Sequence, residues 1–509
     1  MVGPAPGPNR IGSGARIEQG AGVGDRSMGR GRIVLAAVLA AAALLAGACA
    51  SDDADEESTD STVAGATDGV IRVPQDAKTI QAAVNSAKEG DLILVDEGVY
   101  HEAVDVETAD ITIRGVDRNK VILDGEFELE NGIRVLDTDG VVVENMTARN
   151  YVSNGFYWTG SDRYRGSYLT AYRNGDYGVY AFDAYHGQFD HSYASGSPDA
   201  GFYIGECYKC DAVISEVVSE YNGLGYSGTN SGGDLYIVNS EFANNRAGIV
   251  PNSGSYELCY PSRETTIAGN LVHDNNMTDG PGIDVSLLAQ GNGILPAGAV
   301  KALITKNRVW NHARTGIGLV PFPESDANDL APAETEWGTP CEETPAKADG
   351  AQPTIPEAQC VEVEIIGEGC VVMWNPILNT VEGNDVSGSE VADLAVGTVD
   401  LTNSGQTTNT LRNCFSANVF TTSQPANLEQ LAPCNGEPTA TDWDASPLDL
   451  IGLMGSPAAK PGPDAYKTTP EPGPQENMPN AKTAKATKFT KPMAIDLASI
   501  QLPAAPTGG

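Results

Sequence analysis

The sequence predicts an all-β chain, a single-stranded right-handed parallel β-helix with an N-terminal capping helix, and three observations carry that prediction. A glycine followed by an apolar residue recurs as Gly155-Phe156, Gly178-Val179, Gly201-Phe202, Gly225-Tyr226 and Gly248-Ile249, at steps of 23, 23, 24 and 23 residues. A period of that length marks a repeat protein whose coils stack on one another. Each unit holds β-branched and aromatic runs, such as Val141-Val142-Val143 and Leu235-Tyr236-Ile237-Val238, broken by Asn, Gly, Ser and Asp and lacking a helical period. Ahead of the repeats, Thr79 to Ala87 places Ile80, Ala83, Val84 and Ala87 on one helical face. Such a helix suits the open end of a solenoid, where core and strand edges would otherwise face water.

Taken in order, the chain begins with Arg30 and Arg32, an apolar run from Ile33 to Leu45, then Ala46-Gly47-Ala48-Cys49 and at once Asp52, Asp53, Asp55, Glu56 and Glu57. That is a charged segment, a short apolar segment and a small-residue cleavage site, so residues 1–48 are read as leader and signal peptide. The apolar run is short for a membrane span. The segment resembles a bacterial lipoprotein signal, with Ala46 where that family usually has Leu. The resemblance implies lipidation of Cys49 and anchorage to the outer face of the cell membrane; the other reading is an ordinary cleaved signal, and both export the chain. Residues 49–68 are acidic, Ser/Thr-rich and aperiodic, which predicts a flexible linker.

Residues 69–455 are assigned to the β-helix. The Gly-apolar pair returns at Gly282-Ile283 and Gly316-Ile317 and then as Asp393-Leu394, after longer intervals. These predict insertions near 254–263, 287–299 and 322–370, all leaving from one column and so rising on one side of the solenoid. Between Pro321 and Cys360 the longest insertion carries only Lys347 against nine acidic residues. Residues 456–509, rich in Pro, Ala and Lys, are expected to be a disordered tail.

An exported chain with eight cysteines besides Cys49 predicts disulfides, with Cys341–Cys360 and Cys414–Cys434 as the preferred local pairs. Cys207-Tyr208-Lys209-Cys210 has C-x-x-C spacing but lacks the second pair that a zinc site needs. No metal site is assigned.

The formal charge of −37, from 31 basic and 68 acidic residues, excludes nucleic acid as a partner. An acidic ligand would need a bridging cation such as Ca²⁺, the one cofactor the composition brings to mind.

The candidate site follows from the columns. Residues next to each repeat glycine (Phe156, Val179, Phe202) point inward, so Tyr157, Tyr180 and Tyr203 point outward as an aromatic ladder suited to carbohydrate. The competing reading is a ladder that only stabilises the sheet face. Five residues after the glycine stand Gly160, Asp183, Glu206 and Asn230, and eight after stand Arg163, His186 and Lys209. Asp183 and Glu206 should therefore lie one rung apart with His186 and Lys209 beside them. Stacked carboxylates hold Ca²⁺ or split into acid and base roles, unless they line a solvated turn. Asp190-His191 and Asp199 are placed on the next face, away from this group.

Two stretches resemble known families. The helix over Ile80–Ala87, followed by Gly90-Asp91-Leu92-Ile93-Leu94-Val95 and Gly98-Val99-Tyr100, resembles the entry segment of the pectin-lyase-like superfamily of right-handed β-helices. Tyr180-Ala181-Phe182-Asp183-Ala184-Tyr185-His186 resembles the Tyr-Gly-Phe-Asp-Pro-His element of mannuronan C5-epimerases, one residue longer. That resemblance implies proton transfer by Tyr180 and His186, with Asp183 and Glu206 as charge-neutralising groups. Overall the chain is similar to bacterial β-helix lipoproteins with no assigned activity. The expectation is a surface-anchored protein that binds a polysaccharide or cell-wall glycan along Tyr157, Tyr180 and Tyr203. The alternatives are a polyuronate lyase or C5-epimerase and a structural surface protein.

Overall fold

A computed structural model describes residues 69–254, 256–324, 361–362, 370–397, 411–443 and 459–505. Among these the chain winds through three long parallel sheets, of twelve, ten and seven strands. Arg165–Ser167, Thr170–Tyr172 and Tyr177–Phe182 make one coil, a strand to each sheet. The expected β-helix is the fold observed.

The repeat column is in register. Phe156, Val179, Phe202, Tyr226 and Ile249 pair rung to rung on the third sheet, and all are fully buried. Glycine precedes each of them because the backbones approach closely: a Cβ on Gly178 would lie 2.6 Å from the Gly201 carbonyl oxygen. The polar breaks become ladders of their own. Asn270, Asn307, Asn384 and Asn418 pass side-chain hydrogen bonds of 2.9–3.0 Å from coil to coil, satisfying corner backbone groups that the sheets leave unpaired.

The cap is helix α1, Ile80–Ser86, which buries Ile80, Ala83 and Val84. Thr79 caps it, its hydroxyl accepting from the Ala82 amide, and the Glu102 carboxylate accepts from the amides of Ile80 and Gln81. These are the orphan donors of a helix start.

Two expectations on the solenoid need correction. The member of the column after Ile249 is Ile294, which bridges Ile249 and Ile317. It is not Ile283. Gly280-Pro281-Gly282 instead wraps the buried guanidinium of Arg246, which donates to the carbonyls of Gly280 and Pro281 at 2.6 and 2.7 Å. The second insertion thus precedes the repeat glycine, lies between His273 and Gly293, and contains helix α2, Asp284–Ala289. The first and third do follow strands of the third-sheet column, Ala247–Asn252 and Thr315–Leu319.

The expected disordered tail is also corrected. Residues 459–505 run back along the solenoid, and the coils supply the partners that the tail's composition lacks. Arg114 donates to the carbonyls of Ala484 and Lys485, Arg173 to Thr469, Lys306 to Leu497 and Ile500, and Arg308 to Pro503. Tyr466, Ala481, Phe489 and Ile500 are buried.

Cys414–Cys434 forms as expected, and Cys207 is bonded to Cys210. Cys259 is also in a disulfide. The Cys341–Cys360 pairing, Cys49 and residues 1–68 fall outside the described residues.

Candidate functional site

The outer face of the third sheet carries the aromatic column. Tyr157 pairs with Tyr180 and Tyr180 with Tyr203. Parallel in-register strands force the three rings together: centroids lie 5.0 Å apart at 1° between Tyr157 and Tyr180, and 4.8 Å apart at 15° between Tyr180 and Tyr203. The rings cover each other's faces. A ligand lying along the axis therefore meets ring edges and hydroxyls rather than ring faces.

Exposure falls along the column. Tyr157 and Tyr180 are half-buried, whereas Tyr203 is 1% exposed, so the third member is not the solvent-facing ring that the alternation predicted. Its cover is the first insertion. Glu257 takes the Tyr203 hydroxyl at 2.7 and 2.8 Å, and the Leu258 amide donates to Glu206 at 3.0 Å. Asn230 holds the same loop by the carbonyls of Gly254 and Glu257, at 2.5 and 2.6 Å.

Four carboxyl groups gather here. Tyr177, 4.6 Å from Tyr180 by ring centroids, donates its hydroxyl to Asp199 at 2.5 Å. Asp176 lies one rung below Asp199, whose amide donates to its carbonyl. Burial pushes Asp199 up to about 7, the Tyr177 hydrogen bond opposing, and burial next to Asp199 pushes Asp176 well above the usual carboxylate range. Burial and then Glu206 push Glu257 up as well. Asp176, Glu206 and Glu257 nevertheless keep some surface open to solvent. These groups stand where the first insertion meets the open part of the sheet face. Burial raises the Tyr180 hydroxyl far above its ordinary value, with Glu257, Tyr157, Asp176 and Glu206 adding to it. The phenol therefore stays protonated and acts as a donor. Among the described residues no hydrogen-bond partner of that hydroxyl is found.

The sequence-predicted groups divide. Asp183 and Glu206 do lie one rung apart, the Asp183 amide donating to the Gly205 carbonyl at 3.2 Å. Glu206 joins the tyrosine group. His186 does not join them through its ring contacts, which are to Asp162 at 2.5 Å and to Asp211 at 3.9 Å. Its rung mate is not Lys209. The Cys207–Cys210 bridge sits in a coil two residues longer, so the His186 amide donates to the Cys210 carbonyl and Asp211 takes the next position. Among the described residues no group of three or more His, Cys, Asp and Glu side chains is placed to hold a metal ion.

Asp176, Tyr177 and Glu257 are not among the residues expected from the sequence, and the expected placement of Asp199 on another face is corrected: it accepts from the Tyr177 hydroxyl beside the tyrosine column. For Asp176 and Asp199 a signal existed: each stands two residues before a repeat glycine, 23 residues apart. Glu257 lies in an insertion, which has no period to read.

No family model and no curated protein matches the chain. Its scaffold is a parallel β-helix. Among solved structures it is similar to the A-module of a mannuronan C-5 epimerase of Azotobacter vinelandii, at 14% identity and a TM-score of 0.42, over 70% of this chain and 93% of that one. It is similar to an alginate lyase from a Paenibacillus species at 16% identity and a TM-score of 0.32, over 49% and 90%. A pectate lyase is similar at 12% identity and 0.35, over 83% and 90%. These likenesses are of scaffold, and what the site does rests on its own side chains.

Proposed function

We propose that the strip from Tyr157 to the Glu257 loop binds a glycan, on an exported protein held at the cell surface by lipidated Cys49. The observation that carries this reading is the Tyr180 hydroxyl: a partly accessible donor among Asp176, Glu206 and Glu257. Sugars are recognised by converging donors and acceptors on their hydroxyls, and a strip of carboxyls and phenols supplies both. A ladder that only stabilised the sheet would have no need of carboxyls pushed up by burial around it.

The test is a glycan array with and without Ca²⁺, run on the native chain and on Tyr180→Phe. Losing one hydrogen bond from a bound sugar is worth about 1 kcal/mol, or roughly fivefold in affinity. The variant should fold as the native chain does and bind several-fold more weakly. Equal binding to the same glycans would make the strip structural.

A second reading is catalysis on polyuronates, lyase or epimerase, which the names of the similar solved structures bring forward. Asp199 supports acid–base chemistry, because a carboxyl near 7 exchanges protons at neutral pH. Product analysis on alginate and pectate decides it. Turnover by the native chain that is lost in Asp199→Asn would install the enzyme reading, and no turnover by the native chain would remove it.

A further inference from the structure

We infer that the strip is a chain-end site for an uncharged glycan, closed at the wall made by Glu257; this rests on the glycan-binding reading above. The column runs Asp105, Arg134, Tyr157, Tyr180, Tyr203, Ser227, Val250. Its first part is open: Asp105 and Arg134 form an ion pair at the surface, and the next two rings are accessible at their edges. From Tyr203 onward it is roofed, with Tyr203, Ser227 and Val250 at 1%, 4% and 2% exposure. Phe322, Trp374, Tyr256 and Tyr260 pack over the later coils of this face. A linear chain entering over Tyr157 therefore stops at Glu257.

The wall is fixed in place. Asn230 binds two of its carbonyls, Glu206 its Leu258 amide, and the Asn252 side chain donates to the Tyr256 hydroxyl at 2.7 Å. Cys259, two residues beyond Glu257, is in a disulfide. A terminal sugar seated against such a wall is held by its hydroxyls, since the ring faces are already stacked.

Charge selects the class of sugar. The ionisable carboxyls at the closed end are Asp176, Asp199, Glu206 and Glu257, whereas the column's cation, Arg134, stands at the open end paired with Asp105 at 2.7 Å. A uronate carboxylate in the closed end would meet no cation among these groups, and each of them that ionises would add a charge of its own sign. The hydroxyls of a neutral sugar meet acceptors and the Tyr180 donor.

The experiment measures binding to insoluble β-1,4-glucan, β-1,3-glucan and β-1,4-mannan, each before and after limited acid hydrolysis, which multiplies chain ends at constant mass. Soluble oligoguluronate and oligogalacturonate compete at pH 8. A chain-end site gives a capacity that rises in proportion to ends, and uronate oligomers compete at least about tenfold more weakly than neutral oligomers of the same length. Glu257→Ala opens the wall, so its capacity should follow mass more than ends. Capacity that follows mass in the native chain, or preferred binding of uronates, overturns the inference while leaving glycan binding standing. Failure to bind any of these glycans, together with a blank array, overturns both.

Discussion

Asp199 is 7% exposed, and the Tyr177 hydroxyl is 2.5 Å from its carboxylate. Burial pushing it up to about 7 means that the folded protein keeps a proton that the unfolded chain releases near the ordinary carboxylate value. The stability this contributes is fully present below about pH 4 and is lost as pH rises through about 7. Asp176 and Glu257 are pushed the same way. Asp199→Asn, which cannot ionise but can still accept from Tyr177, should flatten the fall in unfolding free energy between pH 5 and 8. At pH 8 the variant should be the more stable of the two, by a few kcal/mol at most. Urea titrations at the two pH values check this; a variant less stable at pH 8 would mean that an ionised Asp199 is held by its surroundings. The place of Asp199 could have been read in the sequence. Counted back from Gly201 it falls in the column of Asp176, whereas counted forward from Gly178 it falls past two corners and looks remote.

Among elements, the strap formed by residues 459–505 departs furthest from what composition implied. A Pro/Ala/Lys-rich segment cannot bury a core of its own, but it needs none when a folded surface offers donors for its carbonyls. Arg114 shows the scale of the effect. It is fully buried, with Glu144 at 2.7 Å on one side and two strap carbonyls on the other. In the full chain Arg114→Ala leaves the Glu144 carboxylate buried with, among the described residues, only Arg165 at 3.4 Å as a cation, and should cost about 3 kcal/mol. In a chain ending at Ala458 the same ion pair is open to water, where such pairs contribute about 1 kcal/mol or less. A double-mutant cycle of Arg114→Ala with that truncation, read by urea unfolding, should therefore show coupling of about 2 kcal/mol. Additive effects would show that the strap does not shield the pair.

Over the whole molecule, the acidic excess and the predicted anchor belong together: a chain of −37 is repelled by anionic membrane surfaces, so attachment calls for a covalent lipid. Cys49→Ala should move the protein from the membrane fraction to the medium. Unchanged fractionation would remove the anchor.

The solenoid, the register of the third-sheet column from Phe156 to Ile249 and the residues of that column that face inward are legible in the sequence, because a 23-residue period copies one ladder of backbone hydrogen bonds and one burial pattern many times over. Phe156, Val179 and Phe202 inside, and Tyr157, Tyr180 and Tyr203 outside the same sheet, follow from that repetition alone. Only the tertiary structure decided which of those tyrosines reach solvent, where the column resumes after Ile249, and what becomes of the tail. Glu257 meets Tyr203 across 54 residues and Ala484 meets Arg114 across 370. Contacts of that span have no period, and they depend on the shape of a surface that exists only once the coils have stacked.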